Sequence, residues 1–211
     1  MALTRLGLNQ SINLATNTTG TLAVSNGGTG LTSGTTDQIL KFTGSTTMAS
    51  AAQAAGGKVL QVVHSNITYK TESTSTGDTD VLSGGGTTWE TSITPSSTSS
   101  KILFMCTLSC HGRNTSASSG TEARGSLSMY EKIGSGSYSR FVYDYEGFGV
   151  YNFDAGGSWK IDNISKQMLR TPNTTSAVSY KFQITMISGA TAIAINEHQK
   201  ESEVVLVEIG A

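Results

Sequence analysis

The chain has 211 residues, which is enough for one domain or for one domain with an extended arm. Ser and Thr supply about 28% of it, Gly contributes 24 residues and charged residues only 14%, so helical bundles, coiled coils and doubly wound α/β enzymes are excluded and an antiparallel β protein remains. The net charge of −1 leaves no basic footprint for nucleic acid or anionic lipid, whereas a charge near zero favours association.

Residues 1–47 contain no Trp or Tyr and a single Phe, so they cannot bury a core of their own. We therefore expect an extended arm that is held by partners. Its start lacks the apolar stretch of a signal peptide, and no apolar run in the chain is long enough to span a bilayer. Docking on a partner is expected from the apolar side chains at the start of the arm, which are Leu3, Leu6, Leu8, Ile12 and Leu14.

The segment that follows the arm is rich in alanine. Alanine is the best helix former, and Gly56 and Gly57 supply a stop, so a short helix is predicted over 48–56 and a helical neck over 48–57. Because a lone helix of this length is marginal in water, we expect copies from several chains to pack together there.

From Lys58 onward the pattern has period two. In residues 178–186 the apolar side chains alternate strictly with Ser, Lys, Gln and Thr, which is typical of a half-buried strand. Short strands punctuated by Gly, Ser, Asn and Pro predict an antiparallel, jelly-roll-like β-sandwich head over 58–211. The other predicted strands are 58–69, 87–93, 101–110, 126–133, 139–145, 159–169, 190–195 and 203–209.

Two strands carry further expectations. Ala190, Ala192 and Ala194 share one face, which lies either under a close neighbour such as another subunit or on a thinly packed outer surface. Cys106 and Cys110 are four residues apart on a strand, or about 13 Å, which is too far for a disulfide. Two small, reduced core thiols are therefore expected.

Catalytic and metal-binding patterns are weak. None of the three histidines, His64, His111 and His198, lies in a catalytic motif, and neighbours such as Cys110 and His111 point to opposite faces of a strand. The Cys106–Cys110–His111 spacing does not fit a zinc site, and the one metal alternative is an axial ion shared by three chains through His111 or His198.

Two carboxylate pairs complete the search for chemistry. Asp144 and Glu146 share a strand face, as the carboxylates of a glycosidase must, and Asp78 and Asp80 have the same spacing. Charged side chains on a solvated edge are the simpler interpretation of both. No enzyme activity, metal or cofactor is expected.

Aromatic residues cluster in the second half of the chain. Eight of the 15 fall between residues 138 and 159, among acidic residues and glycines. The cluster belongs either to the core or a subunit interface, or to a ligand-binding surface. Residues 146–158 are predicted to form an exposed loop, and the predicted receptor-binding residues are Tyr145, Phe148, Tyr151, Phe153 and Trp159.

Several stretches resemble a known family. Residues 24–33, with the motif N-G-G-T-G, resemble shaft and arm segments of tailed-bacteriophage fibres. Residues 92–103, 171–181 and 205–209 resemble C-terminal head domains of fibres from marine phages. The resemblance implies a homotrimer with a β-sandwich head that is attached to a phage tail or capsid, and it supplies no catalytic residues. The chain departs from the family in length, because typical tail fibres are several times longer.

The expected protein is thus a trimeric virion fibre that is assembled in the host cytoplasm. Residues 1–47 would dock on other virion proteins, such as portal, tail, adaptor or capsid, and residues 58–211 would contact a host-surface glycan or protein. The alternative is a decoration or adaptor protein with a purely structural role. A secreted lectin would need an export signal, and an enzyme would need a convergent site.

Overall fold

The structure is a computed structural model, and it divides into two compact units, Met1–Ala54 and Ala55–Ala211. The residues that it describes are 28–29, 31, 34–36, 38–45, 47–52, 58–115, 121–152, 158–187 and 191–210. Within these ranges no helix has the length and apolar character needed to cross a membrane. The five predicted docking residues, Leu3, Leu6, Leu8, Ile12 and Leu14, lie outside the described residues.

The described part of the first unit is a β-hairpin. Strands β1 (Ile39–Phe42) and β2 (Met48–Ala51) pair antiparallel, with Ile39 opposite Ala51 and Phe42 opposite Met48. The predicted helix is therefore wrong at 48–51, while 53–57 lie outside the described residues. Alanine's helix preference is worth less than about 1 kcal/mol per residue, and a short helix must also meet the cost of nucleation. Pairing with β1 therefore overrides the helix preference of the alanines.

The second unit is almost entirely strand. Every segment predicted as a strand contains one, although the prediction missed the short β4 to β6. The strands are β3 (Val59–Ile67), β4 (Thr71–Ser73), β5 (Thr79–Asp80), β6 (Leu82–Gly84), β7 (Thr87–Thr88), β8 (Glu90–Ile93), β9 (Lys101–Asn114), β10 (Thr121–Ile133), β11 (Ser139–Asn152), β12 (Ser158–Arg170), β13 (Val178–Met186), β14 (Ala192–Ile195) and β15 (Ser202–Ile209).

Eight of these strands form a jelly roll. One sheet has the order β3-β15-β9-β12 and the other has the order β8-β13-β10-β11, with every pair antiparallel. When only these eight strands are numbered in chain order, the first (β3) pairs with the eighth (β15), the second with the seventh, the third with the sixth and the fourth with the fifth. This is the pairing of a long hairpin rolled into two sheets, so the predicted all-β, jelly-roll-like fold is confirmed. We call the sheet with β3 and β12 the first sheet and the sheet with β8 and β11 the second sheet.

The core lies between the two sheets. Phe104 of β9 is fully buried and contacts aromatic rings of the second sheet, with centroids 5.0 Å from Tyr180 and 5.5 Å from Phe141. Alternate residues of β13, including Phe182 and Ile184, are buried in the same cluster. The period-two pattern therefore selects which side chains fill the core.

Ionic contacts join the sheets where β12 lies beside β10 and β11. Arg170 of β12 donates from Nε and Nη2 to the two carboxylate oxygens of Glu131, each at 3.1 Å. Lys166 Nζ lies 3.1 Å from Asp144 Oδ2. Asp144 thus serves as an ion-pair partner at the edge of the sandwich.

The segment predicted as an exposed loop is partly a strand. β11 continues through Asn152 and β12 begins at Ser158, so only 153–157 remain between them, outside the described residues. Between the pairs Gly125–Phe148 and Leu127–Asp144, one residue of β10 stands opposite three of β11, which forms a bulge. Phe148 lies directly opposite Gly125 and is buried there, and a Cβ on Gly125 would lie 2.5 Å from its ring.

The alanine face of β14 is buried within the chain. Ala192 and Ala194 are almost completely covered, as are Ile193 and Ile195, while Ala190 lies outside the described residues. The 3-10 turn that follows β14, Glu197–Gln199, contacts β9. A thinly packed outer surface is therefore wrong for the described part of this face.

Both cysteines are free and buried, as predicted. Burial raises the pKa of the Cys106 thiol to about 12, and it raises the pKa of Cys110 as well. Neither thiol is ionised near neutral pH, so neither is a nucleophile or a ready metal ligand.

A buried carboxylate fastens the last strand. Glu208 Oε1 accepts hydrogen bonds from the backbone N and Oγ of Ser96, and its Oε2 accepts one from Gln61 Nε2 at 2.6 Å. Burial alone would raise the pKa of Glu208, but hydrogen bonds from Ser96, Ser100 and Gln61 outweigh it and lower the pKa to about 2. The charged form of Glu208 therefore stabilises the fold.

Candidate functional site

The outer face of the second sheet carries tyrosines and cations. Tyr143 and Tyr145 of β11 are exposed by 47% and 58%, and their ring centroids lie 5.8 Å apart. Arg140 lies over the Tyr143 ring, with Cζ 4.4 Å from its centroid. We call this set the tyrosine surface, and its members are Tyr130, Lys132, Tyr138, Arg140, Tyr143, Tyr145 and Lys181.

The tyrosine surface is ordered by cation–π contacts. The ammonium groups of Lys132 and Lys181 each lie 4.7 Å from the centroid of the Tyr138 ring, and that of Lys181 lies 5.7 Å from Tyr130. Such contacts are worth about 0.5–1 kcal/mol each at exposed sites. They hold the rings in fixed positions, which lowers the entropy cost of binding through them.

Two carboxylates at the edge of the sheet balance these cations. Asp80 Oδ1 accepts from Lys181 Nζ at 2.9 Å and from Gln183 Nε2 at 2.8 Å. The Tyr138 hydroxyl donates to Glu90, which lies 3.4 Å from Lys132 Nζ. Burial raises the pKa of Tyr138 and the hydrogen bond to Glu90 raises it further, so the phenol remains a donor at neutral pH.

The predicted receptor-binding residues have different surroundings. Tyr145 is exposed on the tyrosine surface, whereas Phe148 is 4% exposed and belongs to the core, so it is wrong as a surface residue. Phe153 and the side chains of Tyr151 and Trp159 lie outside the described residues. The alternation of side chains along β11 could have identified Tyr143 as a surface residue, because Tyr143 is two residues from Tyr145 and shares its outward face.

Arg140 and Lys181 were missed as members of the surface. Arg140 begins β11 beside Ser139, and nothing in the sequence near it indicates that it stacks on Tyr143. Lys181 belongs to β13, which pairs with both β10 and β8. Its contact with Tyr138 depends on the order of strands in the sheet, which local sequence does not encode.

A second candidate is a cleft of about 700 Å³ beside the β6–β7 hairpin. Its lining combines the half-exposed ring of Tyr69 with the carboxylate of Glu90, and the sequence Gly84–Gly85–Gly86, all at positive φ, makes the adjoining turn. Hydroxyl and amide groups complete it, from Ser65, Asn66, Ser83, Thr87 and Thr88. An aromatic ring amid such groups is chemically suited to a sugar.

Two of the histidines lie near one another, His111 on β9 and His198 in the 3-10 turn Glu197–Gln199. His111 is buried, its ring centroid is 6.3 Å from that of His198, and burial lowers the pKa of His111. Lys70 Nζ lies 2.7 Å from both Glu72 Oε2 and Glu197 Oε2, which anchors the turn. Among the described residues, no cluster of three or more His, Cys, Asp or Glu side chains could hold a metal.

The predicted carboxylate pairs are also accounted for. Asp144 is paired with Lys166, and the side chain of Glu146 is outside the described set. Asp80 is paired with Lys181, while Asp78 accepts a hydrogen bond from Thr185. These contacts agree with the interpretation of both pairs as structural edge residues.

Comparison with known proteins gives a distant likeness only. No protein-family model matches the sequence, and no curated protein matches it. Among solved structures, the chain is similar to the IBDV viral particle, with 10% identity and a TM-score of 0.36 over 82% of this chain and 42% of the other. The infectious bursal disease virus Gx strain gives 10% identity and a TM-score of 0.32, over 82% of this chain and 45% of the other.

A VP2 subviral particle of infectious bursal disease virus is similar to the same degree, with 10% identity and a TM-score of 0.32 over 81% of this chain and 44% of the other. This chain therefore spans less than half the length of each of these structures. At these TM-scores the jelly-roll assignment rests on the strand pairing of the chain itself.

Proposed function

We propose that the protein is a virion structural protein, specifically a trimeric fibre whose residues 1–47 attach to the particle and whose head contacts the host surface. The resemblance of residues 24–33 and of the head segments to bacteriophage fibres supports this proposal. The jelly-roll topology is compatible with it, since viral proteins commonly use this fold. The observation that carries the host-contact role is the tyrosine surface.

The chemistry of the tyrosine surface is that of a recognition surface. Tyr143 and Tyr145 offer large, rigid contact area with a hydroxyl at the tip, and Arg140 adds a donor for carboxylate or phosphate. In a monomeric soluble domain, neighbouring aromatic rings are seldom left about half exposed without a partner. A glycan or protein on the bacterial surface is the expected ligand.

Adsorption of the purified full chain to host cells tests this role. Replacing both Tyr143 and Tyr145 by Ala removes the exposed rings, and we expect the bound fraction to fall by at least about tenfold, as for central contact residues. Tyr69→Ala in the cleft is the matched control, because Tyr69 is 45% exposed but lies outside the tyrosine surface.

Three other results would contradict the assignment. Loss of adsorption in Tyr69→Ala alone would move host contact to the cleft. Unchanged adsorption in both variants would exclude both surfaces. Unchanged adsorption of particles that lack the protein would indicate the alternative function, a decoration or adaptor protein that stabilises the particle and binds no host.

A further inference from the structure

The outer face of the first sheet contains an apolar row that crosses all four strands. Val62, Val207, Leu103 and Leu169 are aligned as direct cross-strand neighbours. All four point away from the core, because the residues next to them in sequence, Ile102, Phe104 and Leu206 among them, are fully buried. Val62 is 58% exposed and Leu169 54% exposed in the single chain.

Apolar side chains continue on both sides of this row. Val205 and Met105 are neighbours in the next row, and Leu60 extends the apolar area toward the start of β3. We call this set the apolar face, and its members are Leu60, Val62, Leu103, Met105, Leu169, Val205 and Val207.

The members of the apolar face are uncharged, and the nearest ionisable side chains are at its ends and at His64, which lies opposite Val205. Lys101 lies beyond one end, and Glu203, 3.5 Å from His64 Nε2, borders the other. Copies of this face can therefore approach one another without repulsion between like charges. A depression of about 220 Å³ lies at the border of the face, where Met105 and Val205 meet polar side chains that include Glu203, and it provides a place for a side chain to enter.

The apolar face is too small to hold two chains together alone. Four strands about 4.8 Å apart and six residues of about 3.3 Å each give a patch of roughly 20 by 20 Å. A stable interface usually buries about 800 Å² per partner, so a second contact is needed.

The first unit of the chain has such a second apolar surface. Leu40 and Phe42 share one face of its hairpin and are exposed by 50% and 62%, while Ile39 on the opposite face is exposed by 48%. An isolated two-stranded hairpin is marginal in water, so it too requires cover.

We propose that the apolar face is the contact surface between copies of this chain, with the hairpin as a second contact. Each copy of the chain carries one apolar face and one hairpin, so every copy brings both contact surfaces to the assembly. Once the faces meet, the hairpins are held at high local concentration, so two weak contacts act together. This proposal rests on the trimer of the proposed function and assigns its contact surface.

Analytical ultracentrifugation of the full chain tests the assignment. Wild type is expected to sediment at three times the mass of the chain at micromolar concentration. Leu169→Glu and, on another strand, Val62→Glu each place a charge in the apolar row and should weaken association by at least about tenfold. Both side chains are more than half exposed, so the fold of each chain should survive, as near-UV circular dichroism would check.

The matched control is Asn163→Glu, which adds the same charge to the same face of the same strand as Leu169→Glu, six residues away. It should sediment like wild type. Leu169→Ala adds no charge and should weaken association less than Leu169→Glu. It tests the same contact if the charged variant misfolds.

Other outcomes overturn the assignment in distinguishable ways. If Leu169→Glu and Val62→Glu both sediment like wild type, the trimer stands but another surface forms it. If Asn163→Glu dissociates as readily as Leu169→Glu, added charge and not the apolar face is the cause. If wild type sediments as a single chain, both the trimer and the assignment fail, while cell adsorption still decides the host-contact role.

Discussion

The two sheets of the head share one core and differ on their outer faces. The outer residues of the second sheet are polar, and their cations are matched by Asp80 and Glu90 and by tyrosine rings. The outer residues of the first sheet include an uncharged apolar row that runs from Val62 to Leu169. Because both sheets meet the same core, the difference reflects what lies outside each of them. We interpret it as a surface for a ligand on one side and for another copy on the other.

The largest expected effect comes from breaking the core on which both faces depend. Phe104→Ala removes a fully buried ring that contacts Tyr180 and Phe141, and should lower the free energy of unfolding by about 3–5 kcal/mol. Leu169→Ala, on the outer face of the same sheet, should cost no more than about 0.5 kcal/mol in the separated chain. Urea denaturation at low protein concentration measures both, and similar losses would show that Leu169 is part of the monomer core.

The next effect concerns the attachment of β15, the strand that carries Val205 and Val207. Glu208 has a pKa of about 2 in the folded chain against an ordinary value of 4.5, so its charged form stabilises the fold by on the order of 3 kcal/mol. Since the folded pKa is the lower one, this stability is present above pH 4.5 and is lost as the pH falls toward 2.

Glu208→Gln should therefore be less stable than wild type at pH 7 and should lose less stability than wild type between pH 4.5 and pH 2. Urea denaturation across this range provides the measurement. A pH dependence of equal size in the two proteins would contradict the role of the Glu208 carboxylate.

A smaller effect is expected on the tyrosine surface. Lys181→Met retains the side-chain stem but removes the charge that contacts Asp80 and the Tyr138 ring. Because these groups are partly exposed, we expect a loss of about 1 kcal/mol or less. A double-mutant cycle with Asp80→Asn should give a coupling energy of about 0.5 kcal/mol, and additive effects would show that the ion pair contributes nothing.

The smallest expected effect is that the two cysteine thiols do not react with a thiol reagent in the folded chain. Cys106 and Cys110 are buried, and the Cys106 thiol has a pKa of about 12, so a thiol reagent at pH 8 should modify neither in the native chain. Both should react after denaturation. Rapid modification of the native protein would show that the inner layer of the first sheet opens readily.

Local patterns were sufficient to predict the framework of the head. Val178–Met186 alternates strictly because one face meets the core and the other meets water, and the observed strand has the predicted bounds. β9 was recognisable for the same reason. Regular spacing of such strands and turns led to the jelly roll, whose pairing the structure confirms.

Features set by distant contacts could not be predicted in this way. Met48–Ala51 has a helical composition, but its partner strand Ile39–Phe42 decides its conformation. The ring of Phe148 packs closely against Gly125, a cross-strand contact that exists only when β10 and β11 pair. The tyrosine surface unites residues from β10, β11 and β13, so only Tyr145 was identified from the aromatic cluster.

Hydroxyl-radical footprinting of the full chain tests the difference between the two faces most directly. Leu169 and Tyr145 are a matched pair, since they are 54% and 58% exposed in the single chain and lie on opposite sheets. With each rate normalised to the denatured chain, we predict that Leu169 is protected several-fold more than Tyr145, and that Leu169→Glu or Val62→Glu abolishes protection of the remaining apolar face. Equal modification of Leu169 and Tyr145 in the wild-type chain would contradict the account.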